Sequence, residues 1–170
     1  LKAFLGYAND QKVRENSTSG GIGTQLPLFF VESGRARGAF SVVLDRERAW
    51  KPCATIARTR EEILRGAYSK YPACSMNQLF RQITEEPGPF VYTGLPCHVH
   101  GLRKMMELNP ALKRKVALTI GLLCHSCLDH QAIRDIFSVY GIDERDIERI
   151  EYRGGKLPGY IRALTKAGEW

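Results

Sequence analysis

Two cysteine-containing segments, each directly after an apolar run, constrain the fold of this chain most. One ends at Cys97, and the other holds Cys124 and Cys127. The preceding runs, 90–92 and 116–123, predict buried strands, and a helix pattern follows each segment. Turns that follow parallel strands lie at the carboxyl edge of a sheet, where ligands collect in α/β folds. The thiols are therefore predicted to share one edge of a sheet, and their placement indicates redox or metal chemistry.

Strand patterns alternate with helix patterns over the rest of the chain, which predicts an α/β class with a mixed sheet flanked by helices. The chain has 170 residues, enough for one domain or two small modules that share a core. We expect an N-terminal module at 1–86 and a C-terminal module at 87–170, packed as one unit. Strands are predicted at 38–44, 51–57, 90–94, 116–123, 147–152 and 160–165, and helices at 22–31, 60–64, 75–86, 96–108 and 130–140. Because the first residue is Leu1 and the last segment resembles an unfinished hairpin, we expect a piece excised from a longer chain.

Composition restricts the possible partners. The formal net charge is +7, but the basic residues are scattered and form no aromatic–basic array of the kind that reads nucleic acid. We therefore expect no nucleic-acid partner. No apolar run is long enough to span a bilayer, so no membrane span is expected. Five cysteines without a secretory signal favour reduced thiols and a cytoplasmic location.

The cysteine spacing leaves several chemistries open. Cys124 and Cys127 form a Cys-x-x-Cys pair, which can bind iron or zinc or form a redox disulfide. Iron–sulfur clusters prefer four thiolates, so Cys97 joins the pair, and Cys74 in a polar loop is the best further candidate. Cys53 lies in a predicted strand and is expected to be buried and inert. Half-buried cysteines that behave as small apolar residues are the simplest alternative.

Two other classes of protein fit the same cysteines. A thiol–disulfide oxidoreductase would use Cys124 and Cys127 between a strand and a helix, without Cys97. A zinc-stabilised module without activity of its own would combine thiolates with imidazoles. The available histidines are His98, His100, His125 and His130.

A second candidate site lies near the N-terminus, where 17–21 precedes an apolar helix pattern that Pro27 is expected to kink or delay. Amide groups at a helix start attract phosphate, and glycines let it approach, so a side chain at Gly20 is predicted to crowd a phosphate. The segment lacks the Gly-x-Gly-x-x-Gly fingerprint, and an ordinary glycine-rich cap explains it equally well. In the loop 68–71, Lys70 can place a cation beside an anionic ligand, although a surface loop is the simpler interpretation.

In their order and spacing, these segments resemble the coenzyme F-420 hydrogenase/dehydrogenase beta-subunit family. The resemblance runs from Arg14 to about Tyr160. Its motifs are Arg14 with Ser19-Gly20-Gly21, Ser69-Lys70-Tyr71, Gly94-Leu95-Pro96-Cys97 with Gly101-Leu102-Arg103-Lys104, Ile120 to His125, and Tyr152-Arg153-Gly154. The chain departs from the family pattern at His98, where relatives often have Gln, and at Ser126-Cys127-Leu128, where many have Gly-Val-Pro.

The resemblance implies a flavoprotein oxidoreductase that uses FAD beside an iron–sulfur cluster, of the four-iron four-sulfur type. Such a protein passes electrons between a ferredoxin-like domain or electron-carrier subunit and a small two-electron acceptor such as a deazaflavin coenzyme. The family implies a homo- or hetero-oligomer. By this resemblance Ser19, Gly20, Gly21 and Lys70 line the flavin site, and Cys97 and Cys124 lie at the redox centre. We expect Arg14 and Tyr71 to belong to the flavin site as well, and Cys74 and Cys127 to join the metal ligands.

Overall fold

The computed structural model describes residues 2–155 and 159–169. The helices are α1 (Gln11–Glu15), α2 (Ile22–Glu32), α3 (Arg60–Arg65), α4 (Phe80–Glu85), α5 (Pro96–Leu108), α6 (Pro110–Arg114) and α7 (His130–Val139). The strands are β1 (Gly38–Leu44), β2 (Pro52–Ala57), β3 (Phe90–Gly94), β4 (Val116–Gly121), β5 (Ile147–Gly154), β6 (Tyr160–Thr165) and β7 (Gly168–Glu169). Short 3-10 turns cover Asn77–Leu79 and Glu144–Asp146.

The main sheet has four strands in the order β2-β1-β3-β4. Strands β1, β3 and β4 run parallel, whereas β2 pairs antiparallel with β1. The carboxyl ends of the three parallel strands therefore lie at one edge. A second sheet, β5-β6-β7, is antiparallel. The predicted class, a mixed sheet flanked by helices, is confirmed.

Side chains alternate between the two faces of a sheet along each strand. Both faces of the main sheet carry apolar side chains, and helices pack against both. On one face, Phe40 and Tyr92 pack against Phe80, which opens α4. On the other face, Val91 packs with Phe30 of α2. Each fully buried aromatic or aliphatic side chain stabilises the fold by roughly 1.5–3 kcal/mol. The buried strands therefore consist largely of apolar residues, and these apolar runs are visible in the sequence.

Trp50, in the turn between β1 and β2, connects the main sheet to the second sheet. It is fully buried and packs with Phe137 of α7, at 6.0 Å between ring centroids, and with Ile150 of β5. The hydroxyl of Tyr152 donates a hydrogen bond to the Trp50 carbonyl. Residues from both predicted modules thus share one core, while the boundary near residue 86 remains a prediction.

Several local predictions need correction. The strand predicted at 116–123 ends at Gly121, and the helix predicted at 75–86 begins only at Phe80, after a 3-10 turn. Asn109 ends α5, but its side chain then accepts hydrogen bonds from the amides of Ala111 and Leu112 and so starts α6. Asparagine at the cap followed by proline favours a new helix rather than a simple break.

Helix α2 begins at Ile22 as predicted, but its cap residue is a glycine. No serine or threonine side chain caps it; Gly21 is the cap residue, in a left-handed conformation with φ of 79°. The Ser17 hydroxyl instead donates to the Val13 carbonyl at the end of α1. Pro27 lies inside the helix and does not delay its start, which is at Ile22.

Candidate functional site

A cleft of about 900 Å³ opens at the carboxyl edge of the main sheet. This volume lies near the top of the range of about 300–1,000 Å³ that is typical of ligand pockets. Its walls are the first turn of α2, the loop 66–76, the turn from β3 into α5, and the loop 122–127 that follows β4. No Asp or Glu is found among the described residues that line it, whereas Lys70 and Arg153 are. The cleft therefore suits a large neutral or anionic ligand.

Most of the residues predicted for the site line this one cleft. Two of the predicted flavin residues, Arg14 and Gly20, are not among the described lining residues. Both thiol segments and both candidate flavin segments thus meet at one place, although they are far apart in the sequence. The predicted site residues that line the cleft are Ser19, Gly21, Lys70, Tyr71, Cys74, Cys97, Cys124 and Cys127.

Gly20 and Arg14 contact the N-terminal segment instead of the cleft. A Cβ atom at Gly20 would lie 3.0 Å from the Gly6 carbonyl oxygen and 3.3 Å from Tyr7, and the Ala8 amide donates to the Gly20 carbonyl at 2.6 Å. The Arg14 guanidinium lies over the Tyr7 ring, 5.2 Å from its centroid. A side chain at Gly20 would therefore collide with the backbone of this segment, not with a ligand in the cleft.

The first turn of α2 forms part of the cleft wall. Gly21, Gly23 and Thr24 all line the cleft. The first N–H groups of a helix have no partner within the helix and favour negative charge. Glycine at position 21 tolerates the left-handed conformation that turns the chain into the helix. This wall could hold an anionic group such as a phosphate.

Lys70 fixes the shape of the loop 66–76. Its ammonium donates to three carbonyl oxygens, those of Gly66 at 3.0 Å, Ala67 at 2.6 Å and Tyr68 at 3.2 Å. Burial lowers the pKa of Lys70 to about 8. Because an ammonium has three donors, these contacts occupy it fully. Lys70 lines the cleft as predicted, but its charge holds the loop at the end of α3 instead of being free for a ligand.

The same loop is strained and tied to the segment before α2. Tyr68 has a φ of 68°, a left-handed conformation that costs a non-glycine residue roughly 1–3 kcal/mol. Its hydroxyl donates to the Asn16 side chain at 2.6 Å, and the Ser69 hydroxyl donates to Thr18 at 3.3 Å. The wall formed by this loop and the wall formed by the α2 start are thereby held together.

A short backbone bridge joins the loop 66–76 to the loop that carries Cys127. The Leu128 amide donates to the Tyr71 carbonyl, and the Ala73 amide donates to the Leu128 carbonyl, both at 2.9 Å. The His130 Nε2 atom lies 2.9 Å from the Ala73 carbonyl oxygen. This bridge brings Cys74 next to the Cys-x-x-Cys loop.

The predicted common edge of the thiols and their setting between a strand and a following helix are both confirmed. Cys97 lies in the first turn of α5, directly after β3. Cys124 and Cys127 lie in the loop between β4 and α7, where Asp129 caps the helix by accepting from the Gln131 amide at 2.6 Å. Cys127 therefore lies two residues before the cap of α7, whereas Cys97 lies inside the first turn of α5.

Several of the thiols lie close enough to one another to shift each other's pKa. Burial, and then the proximity of Cys124 and Cys97, raises the pKa of the Cys127 thiol. Burial, and then Cys53 and Cys127, raises the pKa of Cys74. Cys53, which was expected to be buried, is half-buried. Within residues 2–155 and 159–169, no three His, Cys, Asp or Glu side chains are grouped to hold a metal ion, so convergence on a metal remains a prediction.

Three further lining residues were not assigned to the site from the sequence. They are Thr93, Arg153 and His98. Burial lowers the pKa of His98, and its Nδ1 accepts from the Leu95 amide at 3.4 Å. Thr93 lies near the end of the buried strand β3, shortly before Cys97. This position in the sequence could have indicated a polar lining residue.

Comparison with known proteins assigns the chain to a family. Residues 3–81 match the N-terminal model of the family described as coenzyme F420 hydrogenase/dehydrogenase, beta subunit, and residues 89–168 match its C-terminal model. The chain therefore belongs to the coenzyme F420 hydrogenase/dehydrogenase beta-subunit family, as its motifs predicted.

Curated relatives share about a quarter of their residues with this chain. The coenzyme F420-dependent sulfite reductase of Methanocaldococcus jannaschii is 27% identical, over 86% of this chain and 26% of the relative. The beta subunit of the coenzyme F420 hydrogenase of Methanosarcina barkeri is 28% identical, over 88% of this chain and 53% of the relative. A subunit of the F(420)H(2) dehydrogenase of Methanosarcina mazei is 26% identical, over 99% of this chain and 46% of the relative. The chain thus spans about half of these relatives or less.

A solved structure shares the fold. A chain of the F420-reducing [NiFe] hydrogenase complex from Methanosarcina barkeri superimposes with a TM-score of 0.75 at 22% identity, over 99% of this chain and 60% of that chain. Among the described residues, no helix has the length and apolar character needed to cross a membrane.

Proposed function

We propose that this chain is the flavin-binding part of an oxidoreductase that transfers electrons between an iron–sulfur donor and a two-electron acceptor. The observation that carries the proposal is the single cleft where the α2 start, the Lys70 loop and the thiol segments meet. Family membership supports it. Because the named relatives act with coenzyme F420, we propose this deazaflavin as the acceptor.

The cleft fits FAD in size and chemistry. Its volume of about 900 Å³ is large enough for a dinucleotide, and no carboxylate among the described lining residues would repel the pyrophosphate. Thr93, one of the lining residues, has a buried hydroxyl oxygen without a partner among the described residues. When bound, a flavin supplies the exchange between two-electron and one-electron chemistry.

Each wall of the cleft has a separate role in this proposal. The first-turn amides of α2 bind the pyrophosphate. Apolar side chains of Phe40 and Met76, which line the cleft, shield the ring system from water. Lys70 holds the loop that forms the opposite wall, and Cys97 and Cys124 lie at the carboxyl ends of β3 and β4.

Among the described residues, no three potential metal ligands are grouped together. Ligation of a cluster by the thiols of this chain therefore stays a prediction, and no electron-transfer step is assigned to it. We propose instead that a ferredoxin-like domain or a separate electron-carrier subunit delivers the electrons. The net charge of +7 suits docking of an acidic carrier, since complementary charge accelerates association.

The decisive experiment measures FAD binding to anaerobically purified protein by flavin fluorescence and visible absorption. We expect stoichiometric binding to the folded protein. Absence of FAD binding by a protein with a native circular dichroism spectrum would overturn the proposal. If the flavin-free protein had a titratable Cys124–Cys127 dithiol, the function of a thiol–disulfide oxidoreductase would replace the proposed one. If it contained bound zinc, a zinc-stabilised structural module would be favoured.

A matched pair of variants tests the role of the α2 start. In Gly23→Asp a carboxylate would lie beside the pyrophosphate, while Gly23→Asn has nearly the same size without the charge. A Cβ atom at Gly23 meets only Leu122, at 3.5 Å, so both variants fit the fold. We expect FAD to bind at least about tenfold more weakly to Gly23→Asp than to Gly23→Asn, because like charges repel. Riboflavin, which lacks phosphate, should bind both equally.

A further inference from the structure

One residue that lines the cleft, Thr93, has a buried hydroxyl without a hydrogen-bond partner among the described residues. Three buried side-chain oxygen or nitrogen atoms lack a hydrogen bond within the described residues: Gln25 Oε1, Trp50 Nε1 and Thr93 Oγ1. Of these three residues, only Thr93 lines the cleft. Buried polar atoms in folded proteins nearly always have a partner, so such an atom needs an explanation.

The position of Thr93 is set by the main sheet. Thr93 pairs with Ile120 of β4, one residue before the end of β3. Because side chains alternate along a strand, Thr93 shares a face with Val91, which packs with Phe30 of α2. Thr93 is therefore on the α2 side of the sheet, at the edge where the cleft opens.

At least two other hydroxyls of the cleft wall are already used inside the protein. Ser17 donates to the Val13 carbonyl at 2.6 Å, and Ser69 donates to Thr18 at 3.3 Å. The Lys70 ammonium is held by three carbonyls. These groups maintain the walls, whereas the Thr93 hydroxyl is buried at the floor without such a role.

We propose that the Thr93 hydroxyl is a ligand contact that hydrogen-bonds the flavin dinucleotide. This inference rests on the proposed function and assigns to its site a residue outside the family motifs. A hydroxyl that is buried without a partner destabilises the ligand-free protein, and a ligand that supplies the partner removes this penalty. Thr93 would then contribute to affinity at the expense of the stability of the empty protein.

The test uses Thr93→Val, which replaces the hydroxyl by a methyl group of similar size, and Thr93→Ser, which keeps the hydroxyl. Thr119→Val is the matched control, because Thr119 lies on the neighbouring strand, pairs with Tyr92 and is not among the described lining residues. Both the FAD dissociation constant and the melting temperature of the flavin-free protein are measured.

We expect Thr93→Val to bind FAD about 5-fold to 10-fold more weakly than the wild type, as loss of one hydrogen bond predicts. Its flavin-free form should melt at the same or a higher temperature. Thr93→Ser should bind FAD within about twofold of the wild type, and Thr119→Val should not change FAD binding.

Two outcomes would overturn the inference while leaving the flavin site intact: wild-type FAD affinity in Thr93→Val, or an equal loss of affinity in Thr119→Val. Failure of the wild type to bind FAD would refute the proposed function, and the Thr93 contact with it.

Discussion

Gly94 and Gly121 are register partners at the carboxyl ends of the parallel strands β3 and β4. Cys97 and Cys124 each follow three residues later, so two thiols separated by 27 positions in the sequence lie beyond the same point of the sheet. The Leu122 amide extends this pairing by donating to the Gly94 carbonyl at 2.9 Å. The sheet register thus places both thiol segments at the cleft.

Thiol reactivity should follow burial and pKa. Cys97 is exposed, whereas Cys74 is half-buried and its thiol pKa is raised mainly by burial. Since the thiolate is the reactive form, we expect iodoacetamide to modify Cys74 at least about tenfold more slowly than Cys97 at pH 7.5. Peptide mass spectrometry measures both rates, and denatured protein, in which all five cysteines react alike, is the control. Equal rates in the native protein would contradict the burial of Cys74.

Lys70 should make stability depend on pH above neutrality. Its pKa is about 8 in the folded protein, against the ordinary value of 10.5. Between these values the unfolded chain binds more protons than the folded one, so the unfolding free energy should rise with pH from about 8 to about 10. Urea unfolding at several pH values measures this rise. The Lys70→Met variant is the reference and should lack this contribution; parallel pH profiles of the two proteins would disprove it.

A side chain at position 20 should reduce stability. A Cβ atom at Gly20 would meet the Gly6 carbonyl oxygen and Tyr7, whereas a Cβ atom at Gly121 would meet nothing within 4 Å. We expect Gly20→Val to lower the unfolding free energy by roughly 1–3 kcal/mol, as overpacking does. Gly121→Ala should stay close to the wild type. If Gly20→Val instead weakened FAD binding at unchanged stability, the position would belong to the ligand site.

The hydrogen bond between Tyr152 and Trp50 should contribute to the packing of the second sheet. Removing the hydroxyl in Tyr152→Phe leaves the buried Trp50 carbonyl without this partner, which costs about 1–3 kcal/mol. Tyr160→Phe is the control, because Tyr160 is largely exposed. Denaturant unfolding should show a loss for Tyr152→Phe alone. Equal stability of both variants would mean that the shared core does not depend on this bond.

The class of fold was predictable because it depends on local signals. The common edge of the thiols was predictable because the carboxyl ends of parallel strands lie at one edge in α/β folds. Short apolar runs identified β1 and β3, and the capping box Thr59-x-x-Glu62 identified α3. The family motifs are short segments whose order is visible in the sequence alone. Errors occurred where local preferences compete, as at Asn109, which can end one helix and begin the next.

The sequence by itself determined the α/β class, the family and which segments carry thiols, because periodicity and short motifs depend on neighbouring residues. Only the tertiary structure decided how these segments meet. The Pro72–Leu128 bridge, the three carbonyls that hold Lys70 and the orientation of Gly20 toward Gly6 arise from packing, not from local pattern. The unpartnered Thr93 hydroxyl belongs to this second group, since burial without a partner is a property of the assembled sheet.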